Sequence, residues 1–279
     1  MIKSINRTLS FVLLALISFF ALTACAVPGQ NTTPTEKQNA SETPSATPKL
    51  RIAAAADLTL AFKEIATQFE QTTKIPTEIT FGSTGTTAMQ IENGAPYDVF
   101  AAADVAYIDG LNKKGLIIAD SQQLYGQGRI GIATLKGSNL RVKDLQDLAD
   151  NSLVKKIAIA EPSHAPYGKA AKQALEYRNL WDKVERRMVY GQNIQDTLAI
   201  LKSGNVDAAI IALSIYKSDD VDFSLIDGSW HDPLNQAMAI VKETKQEDNA
   251  RKFIAYVNGE QGRLVMKKYG FLLPGEFVK

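Results

Sequence analysis

Four short stretches, each at a predicted strand-to-helix junction, carry the residues best suited to bind a small ligand. They are Ala55-Ala56-Asp57-Leu58, Gly82-Ser83-Thr84-Gly85, Pro166-Tyr167-Gly168 and Gln192-Asn193-Ile194. Each offers backbone N–H groups without helical partners and the positive end of a helix dipole. All four are poor in Lys and Arg. Neutral donors of this kind suit an anion that has lost its water, because helix ends can satisfy several oxygens at once.

The stretch around Ser83 and Thr84 is the strongest of the four. Its small side chains let the backbone approach a ligand closely, and its two hydroxyl groups can donate hydrogen bonds. The alternative is that Thr84 and Asn193 only cap their helices, a role that any helix start favours. A ligand site therefore requires that several junctions converge in one cleft, which local patterns cannot establish.

The elements that must position these junctions follow an alternating pattern. The first series predicts strands over 50–56, 75–81 and 97–101 and helices over 57–71, 84–93 and 104–113. Leu58, Phe62, Ile65 and Phe69 recur at helical spacing in the first of these helices. This βαβαβ order favours a mostly parallel sheet covered by helices on both faces.

A second α/β series begins at Gly128. It predicts strands over 129–134, 156–160, 187–190 and 208–213 and helices over 140–150, 167–177 and 194–203. A strand over 236–241 and helices over 247–258 and 260–268 then return to the first series. We therefore expect two lobes, one from 49–127 with 236–279 and one from 128–235, joined by crossing segments near 126–129 and 230–237. A cleft lies between such lobes where the carboxyl ends of strands face each other.

The N-terminal segment predicts export. Lys3 and Arg7 precede an apolar run over 9–22 that is too short to span a bilayer comfortably, which is typical of a signal peptide. The run ends in Leu22-Thr23-Ala24-Cys25, which resembles the bacterial lipobox, so residues 1–25 are predicted as a lipoprotein signal with lipidated Cys25 as the mature N-terminus. The alternatives are an ordinary cleaved signal or an uncleaved anchor helix.

Residues 26–48 are predicted to form a disordered stalk between the anchor and the lobes. They are rich in Pro, Thr, Ser, Asn and Gln, and they hold almost nothing apolar. Such a segment cannot bury enough surface to offset the entropy lost on ordering.

Composition and motif context argue against several other functions. A formal net charge of +1, with charges of both signs interspersed, argues against nucleic acid as a partner. Gly126-x-Gly128-x-x-Gly131 has the glycine spacing of the dinucleotide-binding fingerprint. It lies before a predicted strand instead of after one and opens no helix, so we interpret it as a hinge or turn. His164 and His231, the chain's two histidines, lack the neighbours of a metal site or a catalytic string.

Several strings together resemble one family. Ala53 to Phe69 (AAAADLTLAFKEIATQF), Phe81 to Asp104 (FGSTGTTAMQIENGAPYDVFAAAD), Glu161 to Gly168 (EPSHAPYG) and Gly191 to Ser214 are similar to the periplasmic molybdate-binding proteins of ABC-type importers. The resemblance covers 50–279. It implies a two-lobed α/β fold of the periplasmic-binding-protein type II class, with mixed sheets and a hinged cleft between the lobes.

The resemblance also implies capture rather than catalysis. It implies a monomeric receptor, without a cofactor or a free metal cation, that closes on molybdate or tungstate and delivers it to a membrane permease. The protein is expected to face the periplasm or the cell exterior, held to the membrane by the Cys25 lipid. The alternatives are a receptor for another tetrahedral oxyanion, such as sulfate or phosphate, and a lipid-anchored extracellular hydrolase.

Carried over residue by residue, the family's hydroxyl contact falls on Thr84, with Ser83 beside it, and its backbone donors fall on Tyr167 and Ile194. A serine of the family is replaced by Asp57, and a tyrosine found in some members falls at Ala212, with Ser214 nearby. An ionised Asp57 side chain facing a dianion would be repelled. Its side chain is expected to cap the helix while its N–H binds; the alternatives are a protonated carboxyl or a different ligand.

Overall fold

The first lobe is built on a mixed five-stranded sheet. The computed structural model describes residues 48–277, so Cys25, the predicted signal peptide and all but the last residue of the predicted stalk lie outside the described residues. The strands of this sheet are β1 (Leu50–Ala55), β2 (Thr77–Gly82), β3 (Val99–Ala102), β4 (Gln123–Gly128) and β10 (Leu234–Ile240). Their order is β2-β1-β3-β10-β4. β1 pairs parallel with β2 and β3, whereas β10 pairs antiparallel with β3 and β4.

The second lobe repeats the plan with a separate sheet. Its strands are β5 (Ile130–Leu135), β6 (Ile157–Ala160), β7 (Met188–Gly191), β8 (Ala208–Ala212) and β9 (Val221–Leu225), in the order β7-β6-β8-β5-β9. β6 pairs parallel with β7 and β8, and β5 pairs antiparallel with β8 and β9. The expected α/β fold with two mixed sheets is confirmed.

Helices accompany each sheet. Lobe 1 consists of the first sheet and the helices α1 (Thr59–Thr73), α2 (Thr84–Glu92), α3 (Val105–Lys113), α8 (Glu247–Asn258) and α9 (Glu260–Lys268). Lobe 2 is the second sheet with α4 (Leu145–Asp150), α5 (Pro166–Tyr177), α6 (Trp181–Val184) and α7 (Ile194–Lys202). Within residues 48–277, no helix combines the length and the apolar character needed to cross a lipid bilayer.

The apolar stripe of α1 fixes the first junction in place. Phe62, Ile65 and Phe69 are fully buried, as their helical spacing predicts. Phe69 meets Phe253 of α8 edge to face at a centroid distance of 5.3 Å, a geometry that adds about 1 kcal/mol beyond burial of the rings. The helix ends at Lys74, whose φ of 61° is left-handed. The short 3-10 turn Ala56–Leu58 between β1 and α1 is thus held by a packed helix.

Several predicted boundaries differ from the structure. The helix predicted over 140–150 covers only Leu145–Asp150, because Asp144 accepts from the Asp147 N–H and a capping box starts the helix there. The sequence pattern does not predict β4 or β9. The stretch interpreted as a hinge or turn contains the end of β4 and the start of β5, and the chain crosses between the sheets at Arg129.

Candidate functional site

The four junctions meet at one small cavity between the lobes. Lobe 1 contributes the ends of β1, β2 and β3, and lobe 2 contributes the starts of α5 and α7. The lining residues are Ala55, Ala56, Asp57, Gly82, Ser83, Thr84, Ala103, Ala165, Pro166, Tyr167, Asn193 and Ile194. The cavity volume is about 10 Å³, comparable to the space of one water-sized group. A cavity of this size has no room for a sugar or an amino acid, and it must widen to hold even a tetrahedral oxyanion.

The start of α7 leaves one N–H group for a ligand. Asn193 caps the helix, and its Oδ1 accepts from the N–H groups of Gln195 at 2.9 Å and Asp196 at 3.0 Å. The Thr197 N–H donates to the Asn193 carbonyl at 3.0 Å. The N–H of Ile194, in the first helical turn, has no partner among residues 48–277. The capping role of Asn193 and a donor role for Ile194 are therefore compatible.

The start of α5 presents a second donor. Pro166 occupies the first helical position, where its missing N–H costs nothing, and no side chain caps this end. The Lys169 N–H donates to the Ala165 carbonyl at 3.0 Å. The Tyr167 N–H has no partner within the described part of the chain. Tyr167 is therefore placed to donate from its backbone at the cavity wall.

Thr84 supplies a hydroxyl donor at the start of α2. Its Oγ1 accepts from the Ala103 N–H at 3.1 Å, and Thr84 is 1% exposed. No group in the described residues accepts the Thr84 hydroxyl proton. A hydroxyl that already accepts one bond and still holds its proton is oriented to donate to a ligand oxygen.

Ser83, by contrast, bonds across the cleft. Its Oγ donates to the His164 carbonyl at 2.7 Å and lies 2.8 Å from His164 Nδ1. The Gly85 N–H donates to the same carbonyl at 2.9 Å. An added Cβ on Gly85 would lie 2.7 Å from that oxygen, so only glycine permits this approach. These bonds join lobe 1 to lobe 2 beside the cavity.

The Asp57 side chain does not cap the helix, and that expectation is wrong. No side chain caps the 3-10 turn or α1. Instead, Asp57 Oδ2 accepts from the Tyr167 hydroxyl at 2.9 Å and from Gln236 Nε2 at 2.8 Å. Gln236 Nε2 also donates to the Tyr167 hydroxyl at 2.9 Å. Tertiary partners from α5 and β10 thus outcompete the local capping preference. Asp57, Tyr167 and Gln236 are called the interlobe cluster below.

Burial dominates the protonation of this cluster. It raises the pKa of Asp57 to about 6, although hydrogen bonds from Gln236 and Tyr167 act in the opposite direction. Burial, and then the charge of Asp57, raise the pKa of the Tyr167 hydroxyl well above its ordinary value. Asp57 Oδ1 and Gln236 Oε1 are buried without partners in the described structure.

Ala212 is not brought to the site. It ends β8, pairs with Ile130 and is fully buried in the second sheet, and it does not line the cavity. Two residues later, Ser214 Oγ donates to the Asp57 carbonyl at 2.8 Å. Ala212 is therefore not placed to contact a ligand in this cavity, and Ser214 makes the cross-lobe bond instead.

Sequence patterns did not predict the roles of His164 or Gln236. Both act through partners far away in the chain, 81 positions for Ser83 and His164 and 179 for Asp57 and Gln236. For His164, the one local signal is the string Glu161 to Gly168 (EPSHAPYG), which is part of the family resemblance. Nothing in the pattern around Gln236 distinguishes it from an ordinary strand residue.

The site has no basic side chain. Asp57 is the one charged residue among those that line the cavity. The positive potential comes instead from the N-termini of α2, α5 and α7 and from their N–H groups. Within residues 48–277, no three His, Cys, Asp or Glu side chains come together in a way that could hold a metal ion.

A two-lobed α/β fold, with helix N-termini from both lobes converging on a small cavity, defines a solute-binding protein. The family comparison agrees. The chain belongs to the bacterial extracellular solute-binding protein family, whose model matches residues 50–272.

Relatives and a solved structure narrow the comparison. The molybdate-binding protein ModA of Azotobacter vinelandii is 31% identical over 227 residues, which cover 80% of this chain and 89% of that protein. YvgL of Bacillus subtilis, provisionally named an ABC transporter substrate-binding lipoprotein, is 30% identical over 266 residues, covering 93% of this chain and 96% of its own. The solved periplasmic molybdate-binding protein of Azotobacter vinelandii superposes with a TM-score of 0.76 at 28% identity, covering 81% of this chain and 100% of that one.

Proposed function

We propose that this protein is the substrate-binding component of an ABC importer and that it captures molybdate or tungstate in the cavity between its lobes. The observation that carries the proposal is the convergence of unpartnered donors on a cavity without a basic side chain. These donors are the Thr84 hydroxyl and the N–H groups of Tyr167 and Ile194. Relatives named as molybdate-binding proteins support the choice of ligand.

A tetrahedral oxyanion fits this donor set by chemistry. Its oxygens only accept hydrogen bonds when it is fully deprotonated, and the Thr84 hydroxyl and the N–H groups of Tyr167 and Ile194 all donate. Donors from both lobes bind one ligand, so the anion stabilises the arrangement in which the lobes meet. The Asp57 N–H and Ser83 belong to the same wall, with the Ser83 hydroxyl supporting the contact between the lobes.

The domain organisation belongs to the same proposal. The bounds expected from the sequence, 49–127 with 236–279 for lobe 1 and 128–235 for lobe 2, shift by one or two residues to follow β4 and β10, so lobe 1 comprises 49–128 with 234–279 and lobe 2 comprises 129–233. Residues 1–25 form a lipoprotein signal with lipidated Cys25 as the mature N-terminus, and Cys25 with the 26–48 stalk anchors a monomeric receptor facing the periplasm or the cell exterior. The lipoprotein description of YvgL supports the anchor.

A serine beside a histidine is the pairing that a hydrolase uses, so the contact between Ser83 and His164 suggests hydrolysis as a second candidate function. The hydrogen bonds of these two residues argue against it. The Ser83 hydroxyl donates to the His164 carbonyl, so His164 Nδ1 is left to donate to Ser83 Oγ rather than to accept its proton. No carboxylate in the described residues orients the His164 ring. A nucleophile needs a base in reach of its proton. We therefore propose capture without turnover.

Thermal unfolding of the purified protein with a panel of anions tests the ligand. At a concentration about 1,000 times Kd, a ligand adds about 4 kcal/mol, or about 8–16 °C in Tm for a chain of this size. Molybdate and tungstate should give this shift. A clear shift with sulfate or phosphate and none with molybdate or tungstate would overturn the ligand while leaving a receptor. Release of product from a bound ester would instead support the hydrolase.

A pair of matched variants tests the site. Thr84→Val removes the donor hydroxyl at nearly constant volume, and loss of a hydrogen bond to a charged group should weaken binding about 10-fold to 150-fold. Thr86→Val is the control, since Thr86 lies on the same helix but does not line the cavity. Unchanged affinity in Thr84→Val would show that the anion binds elsewhere.

A further inference from the structure

The cavity proposed to hold an anion contains a carboxyl group of its own. Asp57 lines the cavity and is 1% exposed. Its Oδ2 accepts two hydrogen bonds, from Tyr167 and Gln236, whereas Oδ1 has no partner in the described structure. One oxygen of this carboxyl is therefore fixed by the fold, and the other is buried without a hydrogen-bond partner in the described structure.

Within residues 48–277, no Lys or Arg side chain bonds to the Asp57 carboxyl, whose partners are Tyr167 and Gln236. The elements packed against its turn bring Tyr167 from α5 and Tyr125 from β4. His164, in the loop before α5, bonds to Ser83 rather than to Asp57. Burial, and then the Asp57 charge, raise the pKa of Tyr125 well above its usual range, so this hydroxyl stays neutral. β10 contributes the neutral amide of Gln236.

The remaining neighbours do not supply a positive charge either. α7 carries Asp196 in its first turn, where its carboxylate accepts from the Gln192 N–H. On α1, Lys63 is exposed, and Glu64 bonds to Lys268 on the far helix α9. The ends of β2 and β8 bring serine and apolar side chains. An ionised Asp57 would therefore face an anionic ligand with no cationic side chain among the lining residues to offset the repulsion.

We infer that Asp57 binds one proton together with the anion, and that its protonated Oδ1 donates a hydrogen bond to an oxygen of the anion. The inference rests on the proposed function and adds the proton to the ligand. The proton comes from solvent and is released when the anion leaves. Protonation converts the one repulsive group of the cavity into a further donor, while Oδ2 keeps its bonds to Tyr167 and Gln236.

Uptake of a proton together with the anion makes the affinity for the anion depend on pH. Burial places the pKa of Asp57 at about 6 before the anion is bound, and a bound anion raises it further. Above that value Kd should increase about tenfold for each pH unit, because each bound anion must bring a proton. A chain with a neutral side chain at position 57 would show no such dependence.

Isothermal titration with molybdate, in buffers of different ionisation enthalpy between about pH 7 and about pH 9, measures the protons taken up with each anion. The natural protein should take up one. Asp57→Asn, which places an amide donor where Oδ1 lies, should take up none and bind with little pH dependence. Asp196→Asn is the control carboxylate near the site and should behave as the natural protein does.

Each other outcome has a definite meaning. Proton uptake that persists in Asp57→Asn would place the proton on the ligand or on another group and overturn the inference. Loss of binding in a folded Asp57→Asn would show that the amide replaces neither form of the carboxyl, and the proton count of the natural protein would then decide between them. Binding by the natural protein without proton uptake would overturn the inference but leave the proposed function, whereas no binding of any anion at any pH would overturn both. The proton count of the natural protein decides even if the variant fails to fold.

Discussion

The buried carboxyl of Asp57 should make the stability of the ligand-free protein depend on pH in a defined direction. Burial raises its pKa from 3.8 to about 6 in the folded chain, so the folded state holds the proton more tightly than the unfolded chain. Its contribution to stability is fully present below pH 3.8, is lost as the pH rises through about 6, and stays absent above that. The shift of about 2 pKa units corresponds to about 3 kcal/mol.

Urea unfolding at steps from about pH 4 to about pH 8 measures this contribution against Asp57→Asn. The variant has a similar shape and no titrating group at position 57, so all other ionisations cancel in the comparison. The free energy of unfolding of the natural protein should fall by about 2.5 kcal/mol relative to the variant across this range. Curves that remain parallel would refute the assignment of a destabilising buried charge to Asp57.

The remaining predictions concern close approaches and a cap. Gly128→Ala would place a Cβ 2.1 Å from the Tyr167 hydroxyl and disrupt the interlobe cluster. Titration should therefore show the affinity for the anion reduced at least about tenfold. An unchanged affinity would contradict this prediction. Gly85→Ala should also weaken binding, because the new Cβ would lie 2.7 Å from the His164 carbonyl; a normal Kd would show that the lobes need not approach here. Asn193→Ala removes two capping bonds and should lower stability by about 1 kcal/mol, measured by thermal unfolding.

The fold could be predicted from the sequence because its signals are local. Apolar residues at helical spacing predicted α1, and the predicted bounds of α8 and α9 agree with the structure. Strand β4 escaped prediction because Gly126 and Gly128 weaken its strand pattern. The glycine at 128 is explained only by tertiary structure, since a side chain there would meet Tyr167 and Gln236.

The candidate site could be predicted only in part. Junction residues such as Thr84 and Ile194 carry helix-start signals, so their backbone positions follow from local pattern, and their role as ligand contacts stays a prediction. The interactions of Asp57 could not be predicted this way, because local preference favoured a cap while its actual partners lie 110 and 179 positions away. Contacts between lobes leave no periodic trace in a single sequence.

Crystals of the protein grown with tungstate test the central claim most directly, because tungsten scatters X-rays anomalously and marks its own position. The account predicts one anomalous peak in the cavity between the lobes, with oxygens in hydrogen-bond distance of the Thr84 hydroxyl and the N–H groups of Tyr167 and Ile194. A peak at another place in the chain, or an empty cavity at saturating tungstate, would contradict it.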